Sequence, residues 1–98
     1  MNIQAMMKQA QKLQSDMMKA KDEIDKMEFS STNGLVTVKI NGKKEILEVN
    51  IEKDSDFSSD DLEMLQAMIV IATNDAMKQV DKVTEEKMGR FSSVPGLF

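Results

Sequence analysis

Asn33-Gly34-Leu35-Val36-Thr37-Val38-Lys39-Ile40-Asn41-Gly42 decides how this chain folds. Asn-Gly is the strongest short-range hairpin signal, because both residues tolerate a positive φ. Two such pairs bracket a β-branched, partly alternating run from Leu35 to Ile40. A second run follows from Lys44 to Glu52, in which Leu47, Val49 and Ile51 alternate with Ile46, Glu48, Asn50 and Glu52. Ahead of the first turn, Glu28 to Thr32 is short and polar, with Phe29 as its large apolar group. This pattern predicts a three-stranded antiparallel meander with one buried face.

On the N-terminal side, Asn2 to about Met27 predicts one long helix, free of Gly and Pro and rich in good helix formers. Ile3, Met6, Ala10, Leu13, Met17, Ala20, Ile24 and Met27 recur at alternating steps of three and four. That is a heptad seam, suited to packing against another long helix. On the C-terminal side, Lys53 to Asp61 is a polar connection containing Phe57. Ser58, Ser59 and Asp60 are candidate N-caps for a second helix running to about Met88. Its apolar face holds Leu62, Leu65, Met68, Ile69, Ala72, Ala76, Val80 and Val83. Val70 and Ile71 widen that face and predict burial on more than one side there. Gly89 is the expected helix stop. Residues 1–90 form one domain in this reading, and 91–98 a flexible tail.

The fold class is therefore α+β, an α-β-β-β-α protomer with two long helices flanking the meander. Helices of this length span on the order of 40 Å. Strands of five to eight residues span roughly 17–27 Å. The helices overhang the sheet, yet the apolar seam continues out to Ile3. A second copy of the chain, or the other helix of the same chain, is needed to cover it. The expectation is a homodimer with helical arms.

Composition narrows the chemistry. The 98 residues contain no Cys, His, Trp or Tyr, which removes disulfides, thiol nucleophiles and imidazole bases. The glycines fall in turns or the tail, so no phosphate loop is formed. Paired carboxylates at Asp60/Asp61 and Glu85/Glu86 sit at helix ends or on exposed faces, where capping and solubility explain them. Asp54, Asp56 and Asp60 do not meet the calcium-loop pattern. The chain is read as a non-enzyme, with no metal, cofactor or small-molecule substrate. No signal peptide and no membrane span is seen, so a cytoplasmic location is expected.

The net charge of -4 argues against a simple polyanion binder. The charge is uneven, however, because Lys8, Lys12, Lys19 and Lys21 face Asp16 alone over the first 21 residues. Ten methionines fit either an irregular core, the plainer reading, or an adaptable contact surface. Asn74-Asp75 interrupts the second helix with two poor helix formers. That pair is either a satisfied polar contact near an interface or a contact to a partner chain or ligand.

Met7-Lys8-Gln9-Ala10-Gln11-Lys12-Leu13-Gln14 resembles the opening of the YbaB/EbfC family of nucleoid-associated proteins. In order, further matches lie at Gly34 to Gly42, Val49-Asn50-Ile51, Asp61-Leu62-Glu63-Met64-Leu65, Asn74-Asp75-Ala76, Glu86-Lys87-Met88 and Pro95-Gly96-Leu97-Phe98. The chain departs from the family in lacking a Gly-rich stretch before the first helix and in its shortened tail, Ser92-Ser93-Val94-Pro95. The resemblance covers nearly the whole chain. It implies a homodimer with projecting arms in the cytoplasm, at the nucleoid. It also implies double-stranded DNA binding that alters DNA conformation, nucleoid organisation and gene expression.

The residues expected to meet phosphates are Lys8, Lys12 and Lys19 on the first helix and Lys78, Lys82, Lys87 and Arg90 on the second. For any one of them a solvated helix face is an equal reading. Met6, Leu13, Met17, Asn74 and Asp75 are the interface candidates. A chaperone-like or adaptor homodimer that binds protein partners is the alternative function.

Overall fold

A computed structural model describes residues 2–53 and 57–91 of the chain. Helix α1 spans Ile3–Asp25 and starts where the Asn2 side chain accepts the Gln4 N–H at 3.0 Å. It stops at Asp25, short of the expected Met27. There Met27 turns back to donate its N–H to the Ile24 carbonyl, and its own carbonyl accepts the Gly42 N–H, both at 3.0 Å. The second hairpin thus docks against the helix end and uses groups a further turn of helix would need.

Strands β1 (Glu28–Asn33), β2 (Val36–Asn41) and β3 (Ile46–Ile51) form an antiparallel sheet in the order β1-β2-β3. Leu35 belongs to the first turn and not to β2, and β3 is shorter than the Lys44 to Glu52 run. The first turn places Gly34 at φ 57, as Asn-Gly chemistry requires. The second does not. There the left-handed residue is Lys44, at φ 63. The Asn41 side chain builds this loop, its Oδ1 accepting from Lys43 N–H at 2.9 Å and Glu45 N–H at 3.0 Å. Gly42 is needed for close approach: a Cβ there would lie 1.7 Å from the Ile24 carbonyl oxygen.

Helix α2 (Leu62–Met88) follows a turn of 3-10 helix, Ser59–Asp61. Ser58 opens that turn, with its N–H donating to Asp61 Oδ2 at 2.8 Å. The helix lies across β1 and β2. Ala72 and Ala76 let it approach closely, and with Val80 they bury Phe29, Val36, Val38 and Ile40. The side chains of Asp75 and Gln79 tie it to β1, and β3 is left uncovered.

A register shift opposite Lys39/Ile40 changes the expected parity of β3. Val49 stands opposite Val38, Ile51 opposite Val36, and Ile46 opposite Ile40. Residues directly opposite share a face, so Ile46 joins the helix side where plain alternation sets it away. All of β3 is nevertheless exposed, because α2 does not reach it. The expectation of one buried face therefore holds for β2 and for Phe29 of β1, and not for β3. The reverse face is polar, with Lys39 between Glu28 (4.0 Å) and Glu48 (3.9 Å).

Past the sheet, α2 meets α1. Ile24, Met88 and Phe91 form a second small core, flanked by Leu13, Met17, Ala20 and Val83. The α-helix ends at Met88 with Gly89 as its C-cap, as expected, but Gly89 caps it without a left-handed φ: at φ -58 it leads into a 3-10 turn, Gly89–Phe91. Phe91, assigned to the tail from sequence, is fully buried in this core. The rest of the expected tail, 92–98, lies outside the described residues. Val70 and Ile71 are 57% and 51% exposed, so the expected burial on several sides is not met within one chain. The protein measures 73 × 18 × 14 Å, and no described helix is long and apolar enough to cross a membrane.

Candidate nucleic-acid interface

Lys8, Lys12 and Lys19 fall within about 40° of one another around α1, at about 100° per residue. Leu13, Met17, Ala20 and Ile24 occupy the opposite side and face α2. The lysines are therefore turned away from the inner core, and all three are exposed. The sequence makes this arrangement by placing apolar residues in the seam and lysines outside it.

Their surroundings differ. From Asn2 to Ser15 no acid occurs, so Lys8 and Lys12 set the charge of the outer part of α1. Lys19 shares a hollow of about 210 Å³ with Asp16, Glu23 and Arg90. Lys78 and Lys82 are exposed on α2, but Asp75, Asp81, Glu85 and Glu86 stand one turn away. Lys87 lies 3.8 Å from Glu23 across the helix pair. The Arg90 guanidinium lies 4.4 Å above the Phe91 ring. The seven cations thus divide into an outer basic stretch on α1 and a mixed-charge region near the α1–α2 contact.

Among the interface candidates, Leu13 and Met17 are half-buried in their own chain, while Met6 is 53% exposed on outer α1. Asn74 is exposed. Asp75 accepts the Ser31 hydroxyl at 2.7 Å and the Gln79 amide at 3.3 Å, and Gln79 also donates to the Ser30 carbonyl at 3.0 Å. Its carboxyl is held below the ordinary aspartate value by the Ser31 hydroxyl first, then by Gln79, with the charge of Lys78 adding, while burial opposes them. This polar clamp accounts for a poor helix former in mid-helix. Gln79, one turn beyond Asp75, is the signal in the sequence that points to it. Gly42 and Phe91 carry no such signal, because their roles come from elements that meet only in three dimensions.

The model of the YbaB/EbfC DNA-binding family matches residues 1–94. A nucleoid-associated protein of Clostridium novyi is 48% identical, across 100% of this chain and 90% of that protein. One of Oceanobacillus iheyensis is 47% identical, across 99% and 97%. The crystal structure of an uncharacterised Helicobacter pylori protein superposes with a TM-score of 0.75 at 19% identity, covering 93% of this chain and 97% of that one. The last likeness shows the shared fold. The whole-chain family match, with the two close relatives, places the chain in the YbaB/EbfC DNA-binding family.

Proposed function

We propose that this is a nucleoid-associated protein that binds double-stranded DNA as a homodimer, changing DNA conformation and, through it, nucleoid organisation and gene expression. The observation that carries the reading is the outer stretch of α1, where Lys8 and Lys12 stand exposed with no acid among residues 2–15. On a chain of net charge -4 this is where a phosphate backbone meets least repulsion. Lys19, Lys78, Lys82, Lys87 and Arg90 extend the contact at reduced strength, because acids stand close to them. Backbone contacts of this kind position DNA without reading its sequence. No catalytic step is part of the function, and its place is the cytoplasm, at the nucleoid.

The second copy is supported by Ile46, Val49 and Ile51, which are 52%, 43% and 40% exposed and lie in one strand beside a buried core. A duplex titration across a salt series tests the reading. Each phosphate contact contributes a slope of about -0.9 in the logarithm of affinity against that of salt. Changing Lys8, Lys12 and Lys19 to Glu should flatten the slope and abolish most binding while the fold is kept. The chaperone-like or adaptor alternative draws on the exposed Met6, Met7 and Met18. Absence of binding to any duplex at low salt would move the function there.

A further inference from the structure

The apolar seam of α1 runs on past the end of the helix that covers it. The two helices are antiparallel: Lys87 lies 3.8 Å from Glu23, and Arg90, one turn on, shares a hollow that reaches back to Asp16. Phe91 ends the pairing, buried in a cluster flanked by Leu13 and Met17. From Leu13 the seam continues through Ala10 and Met6 to Ile3, a further length of about 15 Å. All three residues are exposed, Ile3 at 71% and Met6 at 53%. Lys8 and Lys12 stand about 120–180° round the helix from them, so the bare seam and the cationic face point in different directions. The seam is flanked by Met7, Gln9 and Gln14, none of them charged. Its cover is therefore apolar and uncharged, and starts where α2 stops.

We propose that Ser92 to Phe98, which lie outside the described residues, run back along the outer half of α1 in the same chain and cover its seam with Val94, Leu97 and Phe98. The antiparallel pairing sends the chain leaving Phe91 toward Ala10 and Ile3. Seven extended residues reach about 23 Å, more than the bare seam requires. Three extended residues advance about 10 Å, as do seven residues of helix. Val94 then falls between Met6 and Ala10, and Leu97 near Ile3. The sequence Ser-Ser-Val-Pro-Gly-Leu-Phe carries no side-chain charge, so this packing buries no charged side chain from either segment. Pro95 holds Val94 extended and bars a continuing helix. The tether selects the same chain over a second copy: a short linker gives an effective concentration on the order of millimolar, about a thousandfold above protein at micromolar. The inference is independent of DNA binding, and it leaves Lys8 and Lys12 free on the other face of the arm.

The chain has no Trp or Tyr, so Phe98→Trp in the full chain installs a sole indole reporter. Its emission should be shifted to the blue, and should return to that of a solvated indole when Ile3→Gln and Met6→Gln are added. Circular dichroism and light scattering confirm that the added substitutions keep fold and mass. A solvated indole from the start overturns the proposal. A blue shift that survives Ile3→Gln/Met6→Gln also overturns it, by placing Phe98 elsewhere. So does a change of mass, which makes the seam a subunit contact. The unaltered sequence gives a second measurement: a nuclear Overhauser contact from the Met6 methyl to a Phe ring, lost in Phe98→Leu. In an equal mixture of labelled and unlabelled chains, that contact should appear only within a chain. Contact between labelled and unlabelled chains would overturn the same-chain cover.

Discussion

Asp75 sits in mid-helix with its carboxylate shared between the Ser31 hydroxyl and the Gln79 amide. Both contacts favour the charged form, and the carboxyl is held below its ordinary value. A lowered native value means the fold gains from this group at any pH above the ordinary carboxylate value. The gain is lost as pH falls through the lowered value. Asp75→Asn should therefore reduce the urea midpoint at neutral pH, and the gap from the unaltered protein should close in acid. A gap that stays constant from neutral pH into acid would show that the charge is immaterial. The sequence exposed Asp75 as an oddity because propensity is a local property. It could not say which of two explanations applied, since Ser31 is 44 residues away. At Gly42 the sequence pointed to the right residue for the wrong reason. Asn-Gly suggests a positive φ, but the constraint is the backbone of Ile24 and Asp25 pressed against the turn. That contact belongs to two elements at once and leaves no trace in either.

At the scale of elements, periodicity made the strands and helices legible, and overlap between elements decided what each one buries. The alternation of β2 survives intact, with Val36, Val38 and Ile40 all at 0% exposure. In β3 the same kind of alternation is present in sequence but ends in solvent, because α2 is pinned to β1 by Asp75 and Gln79. The α1 seam divides likewise: Leu13 to Ile24 pack in the core shared with α2, and Ile3 to Ala10 are left exposed among the described residues. Phe91 closes the inner half. Removing a buried Phe ring costs about 3–5 kcal/mol. In the small Ile24–Met88–Phe91 cluster that sum falls almost entirely on the α1–α2 contact. Phe91→Ala should thus accelerate amide exchange along α1 while β1 and β2, in the other core, stay protected. Exchange that rises equally in both would mean that arm and sheet unfold as one unit.

The whole molecule is too extended for its length. Its radius of gyration is 19.9 Å, against about 13 Å for a compact chain of about 100 residues. Its bare apolar groups include Ile46, Val49 and Ile51 on β3, which continue the buried face of Val36, Val38 and Ile40 sideways across the register. These facts fit a protomer whose core is completed by a second copy, and they set up a test by magnitude. If the chain works alone, Val49→Glu and Ile51→Glu alter half-exposed positions, where a change within about 0.5 kcal/mol is usual. In a two-fold interface each position occurs twice. Burial of a whole Val or Ile side chain is worth about 1.5–3 kcal/mol. Val49 and Ile51 are 43% and 40% exposed in the protomer, so losing the remaining burial in both copies would weaken the dimer by roughly 1–2.5 kcal/mol. That is on the order of 10- to 100-fold in the dimer dissociation constant, and the desolvated carboxylates add to it. Light scattering at micromolar concentration should give the mass of two chains for the unaltered protein and one for each variant. Thermal stability should depend on concentration only in the former. A single-chain mass for the unaltered protein would leave the β3 patch open to a different partner. It would also halve the number of lysines that any one complex brings to DNA.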